Sequence, residues 1–172
     1  MKTLESLEKK GDLLFGPPVP EWFEGDCSVP GRFGKKLLNV DLAKDACELH
    51  DWIYMLIPIL YEYKSPLWNL KLHVADAELR WNLTKMRKRR WFGRIWGYVY
   101  YKGVRMPFIG GRRAVNRHPE WHPRRPKNGG QLLELIECAR RFNGGELTKR
   151  SRNVFAMLAR PFDVDIRKEL KK

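Results

Sequence analysis

Apolar residues recur at helical spacing in the middle of the chain, and this pattern predicts two consecutive helices. The first is expected from Asp41, a suitable N-cap, and Pro58 is expected to end or kink it. After the connection YEYKSP, a second helix is predicted from about Trp68 to Met86, packed antiparallel to the first. The apolar contacts are expected from Leu42, Ala46, Leu49, Ile53 and Leu56 in the first helix and from Leu70, Val74, Ala77, Leu79, Trp81 and Leu83 in the second.

Helical patterns also occur on both sides of a basic, proline-rich stretch further along. Trp91 to Met106 is predicted as a third helix, although the β-prone residues Tyr98 to Tyr101 leave a strand as the alternative. Two more helical segments are expected at Gln131 to Phe142 and from about Thr148 to Leu158. The chain is therefore expected to be mainly α, with three parts: residues 1–106 as one domain, 107–130 as a basic Pro/Gly linker, and 131–172 as a C-terminal helical segment.

Positive charge is concentrated in one stretch. The formal net charge is +14, and residues 85–127 hold 14 Lys and Arg against one acid, Glu120. A solvated face usually mixes signs, so this stretch is expected to meet a polyanion, either an anionic phospholipid surface or nucleic acid. No helix-turn-helix, zinc-finger or RNA-recognition signature accompanies the charge, which leaves nucleic-acid binding as the less supported alternative.

The sequence predicts neither a membrane span nor a signal peptide. The longest apolar run, Met55 to Leu60, is far too short to cross a bilayer. The N-terminal sequence MKTLESLEKKGDLLF is short and amphipathic, without an apolar run behind a basic start. We therefore expect a protein that is soluble or lies on a membrane surface.

Three cysteines, Cys27, Cys47 and Cys138, are too few for a dense disulfide framework. A bridge between Cys27 and Cys47 would close a loop around the candidate site described next, which stabilises such a loop by roughly 3 kcal/mol in the entropic model. A reduced pair packed as two small apolar side chains is the alternative.

The candidate chemistry lies on the two predicted helices. His50 and Tyr54 are four residues apart and share a helix face, whereas Asp51 points about 100° away toward a neighbouring feature. If the helices pack antiparallel, the carboxylate of Asp76 can reach the imidazole of His50. This would hold one tautomer and support the imidazolium that forms when His50 takes a proton from water.

A candidate metal loop precedes these helices. FEGDCS, Phe23 to Ser28, can turn its backbone carbonyls inward. Calcium prefers carboxylate and carbonyl oxygens, so this loop and Asp51 together would suit Ca²⁺. A metal there would polarise a carbonyl and stabilise an oxyanion.

The order GDCSVP, ACELHDWIY and ADAELRWNL resembles phospholipase A2-like domains, including the bacterial, phage and parvovirus capsid forms. The likeness spans roughly residues 20–106; the helix motif matches at Cys47 to Asp51 with Tyr54, and Phe23 to Cys27 is similar to the calcium loop. Cys27 stands where that loop usually has its last glycine. Asp76 falls where the family has its second-helix aspartate.

This resemblance implies a fold of two antiparallel helices with a calcium loop, and hydrolysis of the sn-2 ester of phospholipids. His50 would activate water, Asp76 would orient His50, and Tyr54 would support Asp76. The metal ligands would be Asp51 and the carbonyls of Phe23, Gly25 and Cys27. A phage or viral protein acting in the virion, in the host cytoplasm or at its membrane surface is implied.

Two further interpretations remain open at this point. The same fold can serve, without catalysis, as a virion or assembly component that binds other virion proteins. The aromatic residues mixed with Arg and Lys around Trp91 to Tyr101 can either seat a helix in anionic headgroups or form core beneath a basic surface.

Overall fold

The computed structural model describes residues 19–25, 40–86, 94–95, 97–99, 101–102 and 125–171. All regular structure in these ranges is helical, which confirms the mainly α class. The helices are α1 (Val40–Leu60), α2 (Pro66–Met86), α3 (Gly129–Phe142), α4 (Lys149–Ala159) and α5 (Arg167–Lys171). Within the described ranges, no helix is both long and apolar enough to span a membrane.

Helix α1 lies at the centre of the molecule. From Ala46 to Leu60 every side chain is buried except that of Asp51, which is half-buried. A helix that is apolar on nearly every side must be enclosed by other elements. The helix begins at Val40, so Asp41 lies in its first turn rather than at the N-cap; the side chain of Leu42 lies outside the described residues.

Of the two effects expected of Pro58, an end of α1 at this residue is wrong, because the helix continues to Leu60; a kink there stays a prediction. A proline removes only one N–H donor, and just two residues follow it. Two carbonyl groups at this end are bonded by α4 and its N-cap. The Arg150 guanidinium donates from two nitrogens to the carbonyl of Pro58, at 3.2 and 3.1 Å, and Thr148 Oγ1 donates to that of Leu60 at 3.2 Å.

Helix α2 begins at Pro66, two residues before the predicted Trp68. Proline suits the first helical position, and the Ser65 hydroxyl accepts a hydrogen bond from the amide of Trp68 at 3.1 Å. Its buried apolar residues follow steps of three and four residues: Trp68, Leu72, Ala75, Leu79 and Leu83.

The predicted contact face of α2 is largely wrong. Leu79 and Leu83 are buried as expected, but the other four expected contacts are exposed to solvent. They belong to a second stripe, which we call the outer apolar face: Leu67, Leu70, Val74, Ala77 and Trp81. Because both stripes repeat every three or four residues on opposite sides of one helix, only α1 decides which is buried.

Helices α1 and α2 pack antiparallel. Lys71 near the start of α2 lies over the Tyr61 ring just beyond the end of α1, at 5.8 Å from its centroid. Asp76, further along α2, contacts His50, which is earlier in α1. Residues further along α2 therefore contact residues earlier in α1.

The described positions between 94 and 102 are helical, so a helix and not a strand occupies them. This segment packs closely on α2, since a Cβ atom at Gly97 would lie 2.9 Å from the Arg80 carbonyl oxygen and from Thr84 Oγ1. The Arg80 guanidinium lies over the rings of Tyr98 and Tyr101, at 5.7 and 5.8 Å. The contact brings cations and aromatic rings together beside the outer apolar face.

The C-terminal helices complete the core around α1. Helix α3 starts at Gly129, two residues before the prediction, where Asn128 Oδ1 accepts from the amide of Gln131 at 2.9 Å. The short helix α5 was not expected. Nine buried residues of α3 and α4 share one apolar cluster with α1: Leu132, Leu135, Ile136, Cys138, Ala139, Val154, Phe155, Leu158 and Ala159. Most of the predicted linker, residues 107–124, lies outside the described residues.

Candidate active site

A histidine, an aspartate and a tyrosine meet between α1 and α2. His50 Nε2 lies 3.2 Å from Asp76 Oδ1, and the Tyr54 hydroxyl donates a hydrogen bond to the same oxygen. The rings of His50 and Tyr54 are 4.1 Å apart, as one helical turn allows. All three side chains are buried, Asp76 completely. The structure thus brings together the three residues that the sequence singled out for catalysis.

The hydrogen bonds suit one tautomer of His50. A carboxylate at Asp76 accepts from an N–H at Nε2, and this arrangement leaves the lone pair of a neutral imidazole on Nδ1. Burial by itself would lower the pKa of His50, but the carboxylates of Asp51 and Asp76 outweigh it and raise that pKa above 6.5. The site therefore favours an imidazole that readily takes up a proton.

Asp51 lies on the other side of His50. Its Oδ1 is 3.9 Å from His50 Nδ1, too far for a direct hydrogen bond. About one fifth of its side chain is exposed, in contrast to the enclosed Asp76. The two carboxylates therefore differ: one holds Nε2 inside the core, and the other is partly exposed on the Nδ1 side of the ring.

The described part of the expected calcium loop packs on the same stretch of α1. The ring of Phe23 is buried against Trp52, with centroids 4.9 Å apart. Gly25 is pressed against the helix backbone, since a Cβ atom there would lie 2.3 Å from the Cα of Glu48. Asp51 is one turn from Glu48 and adjacent to Trp52, so it lies on the stretch of α1 that Phe23 and Gly25 contact. Cys27, the remaining expected ligand, lies outside the described residues.

These residues fit calcium by the chemistry of their donors. A partly exposed carboxylate and backbone carbonyls are the hard oxygen ligands that Ca²⁺ prefers. The part of the chain that the structure describes contains no group of three or more His, Cys, Asp or Glu side chains able to hold a metal. Such groups are typical of transition-metal sites, whereas the expected site depends mainly on carbonyl oxygens.

The cysteines differ in state. Cys47, on α1 beside Glu48, is disulfide-bonded. Cys138 on α3 is a free, buried thiol, and burial raises its pKa to about 11. The reduced alternative for Cys47 is therefore wrong.

One contact at the loop escaped sequence reasoning. The indole Nε1 of Trp22, which precedes Phe23, donates a hydrogen bond to Glu134 Oε2 on α3 at 2.9 Å. The two residues are 112 positions apart, and no motif links them. The only available signal was that Glu134 is an acid among the apolar positions of a predicted helix.

Comparison with known proteins adds no relative: no family model, no curated protein and no solved structure matches the chain. Fold and geometry therefore define a mainly helical protein with a buried His–Asp–Tyr cluster beside an accessible carboxylate.

Proposed function

We propose that the chain is a calcium-dependent phospholipase A2-like hydrolase that cleaves phospholipid sn-2 esters at an anionic membrane surface. One observation carries the proposal. Asp76 holds His50 through Nε2 and is itself bonded by Tyr54, while Nδ1 of His50 faces the partly exposed Asp51. A general base needs a fixed tautomer and a ring lone pair that takes the proton from water. The family likeness at the same residues makes the proposal more specific, and the source would be a phage or virus.

His50 performs the proton transfers in this proposal. Its Nδ1 removes a proton from water as the water oxygen bonds to the ester carbonyl carbon. The charge of Asp76 stabilises the resulting imidazolium, and Tyr54 keeps that carboxylate in place. When the ester C–O bond breaks, the imidazolium returns the proton to the departing alkoxide. The products are a fatty acid and a lysophospholipid.

Asp51 and the carbonyls of Phe23, Gly25 and Cys27 would hold calcium. The ion, when bound, supplies positive charge for the ester carbonyl and the oxyanion that develops there. Asp51 also contributes to the raised pKa of His50.

The outer apolar face supports the proposal that the binding partner is an anionic membrane. Leu67 and Leu70 are each 55% exposed, and Trp81 is 49% exposed, which is unusual for so many large apolar side chains on one helix. Arg80 and Arg94 line one groove together with Trp81 and Tyr101. Apolar and aromatic side chains with flanking cations are the composition that seats a protein in anionic headgroups.

The catalytic proposal is tested by calcium-stimulated release of fatty acid from anionic vesicles. We expect release by the wild type and loss of at least about a hundredfold with His50→Ala, the scale typical of removing a general base. Asp51→Asn should lose calcium stimulation while preserving the helix. Cys138→Ser, a buried change on α3 outside the His–Asp–Tyr cluster, is the control and should retain activity. A wild type that is folded but inactive would refute the proposed enzymatic function.

Membrane binding has a separate test. Co-sedimentation with vesicles containing phosphatidylglycerol should weaken at least about tenfold with Trp81→Gln, because the indole no longer enters the interface. The control is Leu133→Gln, which changes an exposed leucine on α3. Equal binding by both variants would contradict a role for the outer apolar face.

The same face supports a second candidate, a non-catalytic virion or assembly component. Exposed apolar stripes also fit a protein neighbour. Salt-sensitive vesicle binding without hydrolysis would favour a surface-binding role. A wild type that neither hydrolyses lipid nor binds vesicles would favour the role of an assembly component. Nucleic-acid binding remains a prediction from charge, and a filter-binding titration without salt-sensitive retention would remove it.

A further inference from the structure

The hydrogen bond between Trp22 and Glu134 joins the candidate metal loop to the C-terminal part of the chain. Trp22 lies between two helices: its ring meets that of Trp52 on α1 edge-on, with centroids 5.7 Å apart, and its indole N–H points to Glu134 on α3. Both Trp22 and Glu134 are half-buried, so water competes for the bond less than it would at an open surface.

The tryptophan directly precedes the first expected carbonyl ligand. Residues 19–25 form no helix or strand, and one turn hydrogen bond, from the amide of Phe23 to the carbonyl of Pro20 at 3.1 Å, organises them. Ring side chains also anchor these residues to the helices. Phe23 is anchored on α1 by its ring, and Trp22 is anchored on α1 and α3 together.

The acceptor is on a firmly held element. Leu132 and Leu135, on either side of Glu134 in α3, are completely buried in the cluster shared with α1. Asn128 caps the start of the same helix. A hydrogen bond to Glu134 therefore anchors the loop to a helix that is fixed in the core.

We propose that Glu134 is a positioning residue for the calcium loop, acting through Trp22 to keep the carbonyls of Phe23 and Gly25 beside Asp51. The inference rests on the proposed function and assigns a role in metal affinity to the C-terminal helices. When a ligand binds only the ordered loop, its apparent affinity falls in proportion as the fraction of protein with an ordered loop falls. Hydrogen bonds to charged groups are strong enough for loss of this one to weaken binding about tenfold.

The experiment measures calcium affinity by titration calorimetry and, in calcium-free buffer, hydrogen exchange of residues 21–25. Glu134→Ala and Trp22→Phe should each weaken calcium binding about tenfold and speed exchange in the loop. The double variant should be no weaker than either single one, because both remove the same bond. Glu134→Gln should stay near wild type, since its amide oxygen still accepts from the indole.

The matched control is Glu137→Ala, which removes a carboxylate from the same helix where it pairs with Arg140 and Arg141 instead. Unchanged affinity and exchange in Glu134→Ala, or a loss equally large in Glu134→Gln or in the control, would overturn the inference. If Glu134→Ala does not fold, Trp22→Phe makes the same comparison. A wild type that binds no calcium would refute the proposed function, and loop exchange would then decide the positioning role by itself.

Discussion

The two long helices have the same length but differ in how they use their apolar residues. Helix α1 is enclosed from Ala46 onward, and even His50 and Glu48 are buried in it. Helix α2 buries one face against α1 and leaves the outer apolar face in contact with solvent. An apolar residue on α1 is therefore almost always core, whereas one on α2 can be core or surface.

This difference gives the two faces of α2 different expected roles. The inner face of α2 contains Asp76, which completes the cluster with His50. The outer apolar face has no comparable role in the described core, and its exposure suits a partner instead. The comparison predicts that substitutions on the two faces affect different properties of the protein.

The largest effect is expected where the inner face is polar. Asp76→Ala removes the acceptor of two buried donors, and breaking such a buried pair costs about 3–5 kcal/mol of unfolding free energy. Urea unfolding measures it. Asp76→Asn, which keeps an acceptor oxygen, should cost less. Equal stability of Asp76→Ala and wild type would show that the cluster does not join the helices.

The next effect compares the two faces directly. Leu72 is buried and Leu70 is 55% exposed on the same helix. Leu72→Ala should lower the unfolding free energy by about 2–5 kcal/mol, through lost burial and the cavity left behind. Leu70→Ala should change it by less than about 0.5 kcal/mol. A comparable loss in both variants would mean that the outer apolar face is covered in the folded protein.

Sequence reasoning could recover the parts of this fold that depend on local pattern. It predicted α1, α2 and α3 to within about two residues at their starts, because caps, prolines and apolar spacing are local. It placed His50 and Tyr54 on one face, because that follows from their separation of four residues. It could not choose between the two stripes of α2, since both satisfy the same spacing.

The remaining features depend on contacts between distant parts of the chain. Helix α1 continues past Pro58 because Arg150 and Thr148 bond the carbonyl groups at its end. Glu134 meets Trp22 only after α3 packs on α1. Neither contact leaves a periodic signal in the sequence. The family likeness supplied the functional roles at the site, and those roles stay proposals.

A smaller effect is expected from the hydroxyl on α1. Tyr54→Phe keeps the ring against His50 and removes one hydrogen bond to a charged acceptor, which costs about 1.5–3 kcal/mol. Urea unfolding again measures it, with Tyr63→Phe on the exposed connection as control. If Tyr54 only fills space, both variants will match wild type.

The smallest effect is a pH dependence that arises where the faces of α1 and α2 meet. The carboxylates of Asp51 and Asp76 overcome burial and raise the pKa of His50 above its ordinary 6.5. A group whose pKa is raised in the folded state binds its proton more tightly there than in the unfolded chain. Its contribution to stability is complete below pH 6.5 and is lost as the pH rises through the folded pKa.

Urea midpoints in calcium-free buffer between pH 5.5 and 8.5 test this sign. The difference between wild type and His50→Gln should be most favourable to the wild type at the acidic end and should decline toward the alkaline end. Titrating groups that do not interact with His50 are shared by both proteins and cancel in that difference. A difference that grows with pH would mean that burial outweighs the two carboxylates. Helix α1 would then enclose a neutral imidazole, and its contrast with the solvent-facing side of α2 would be greater still.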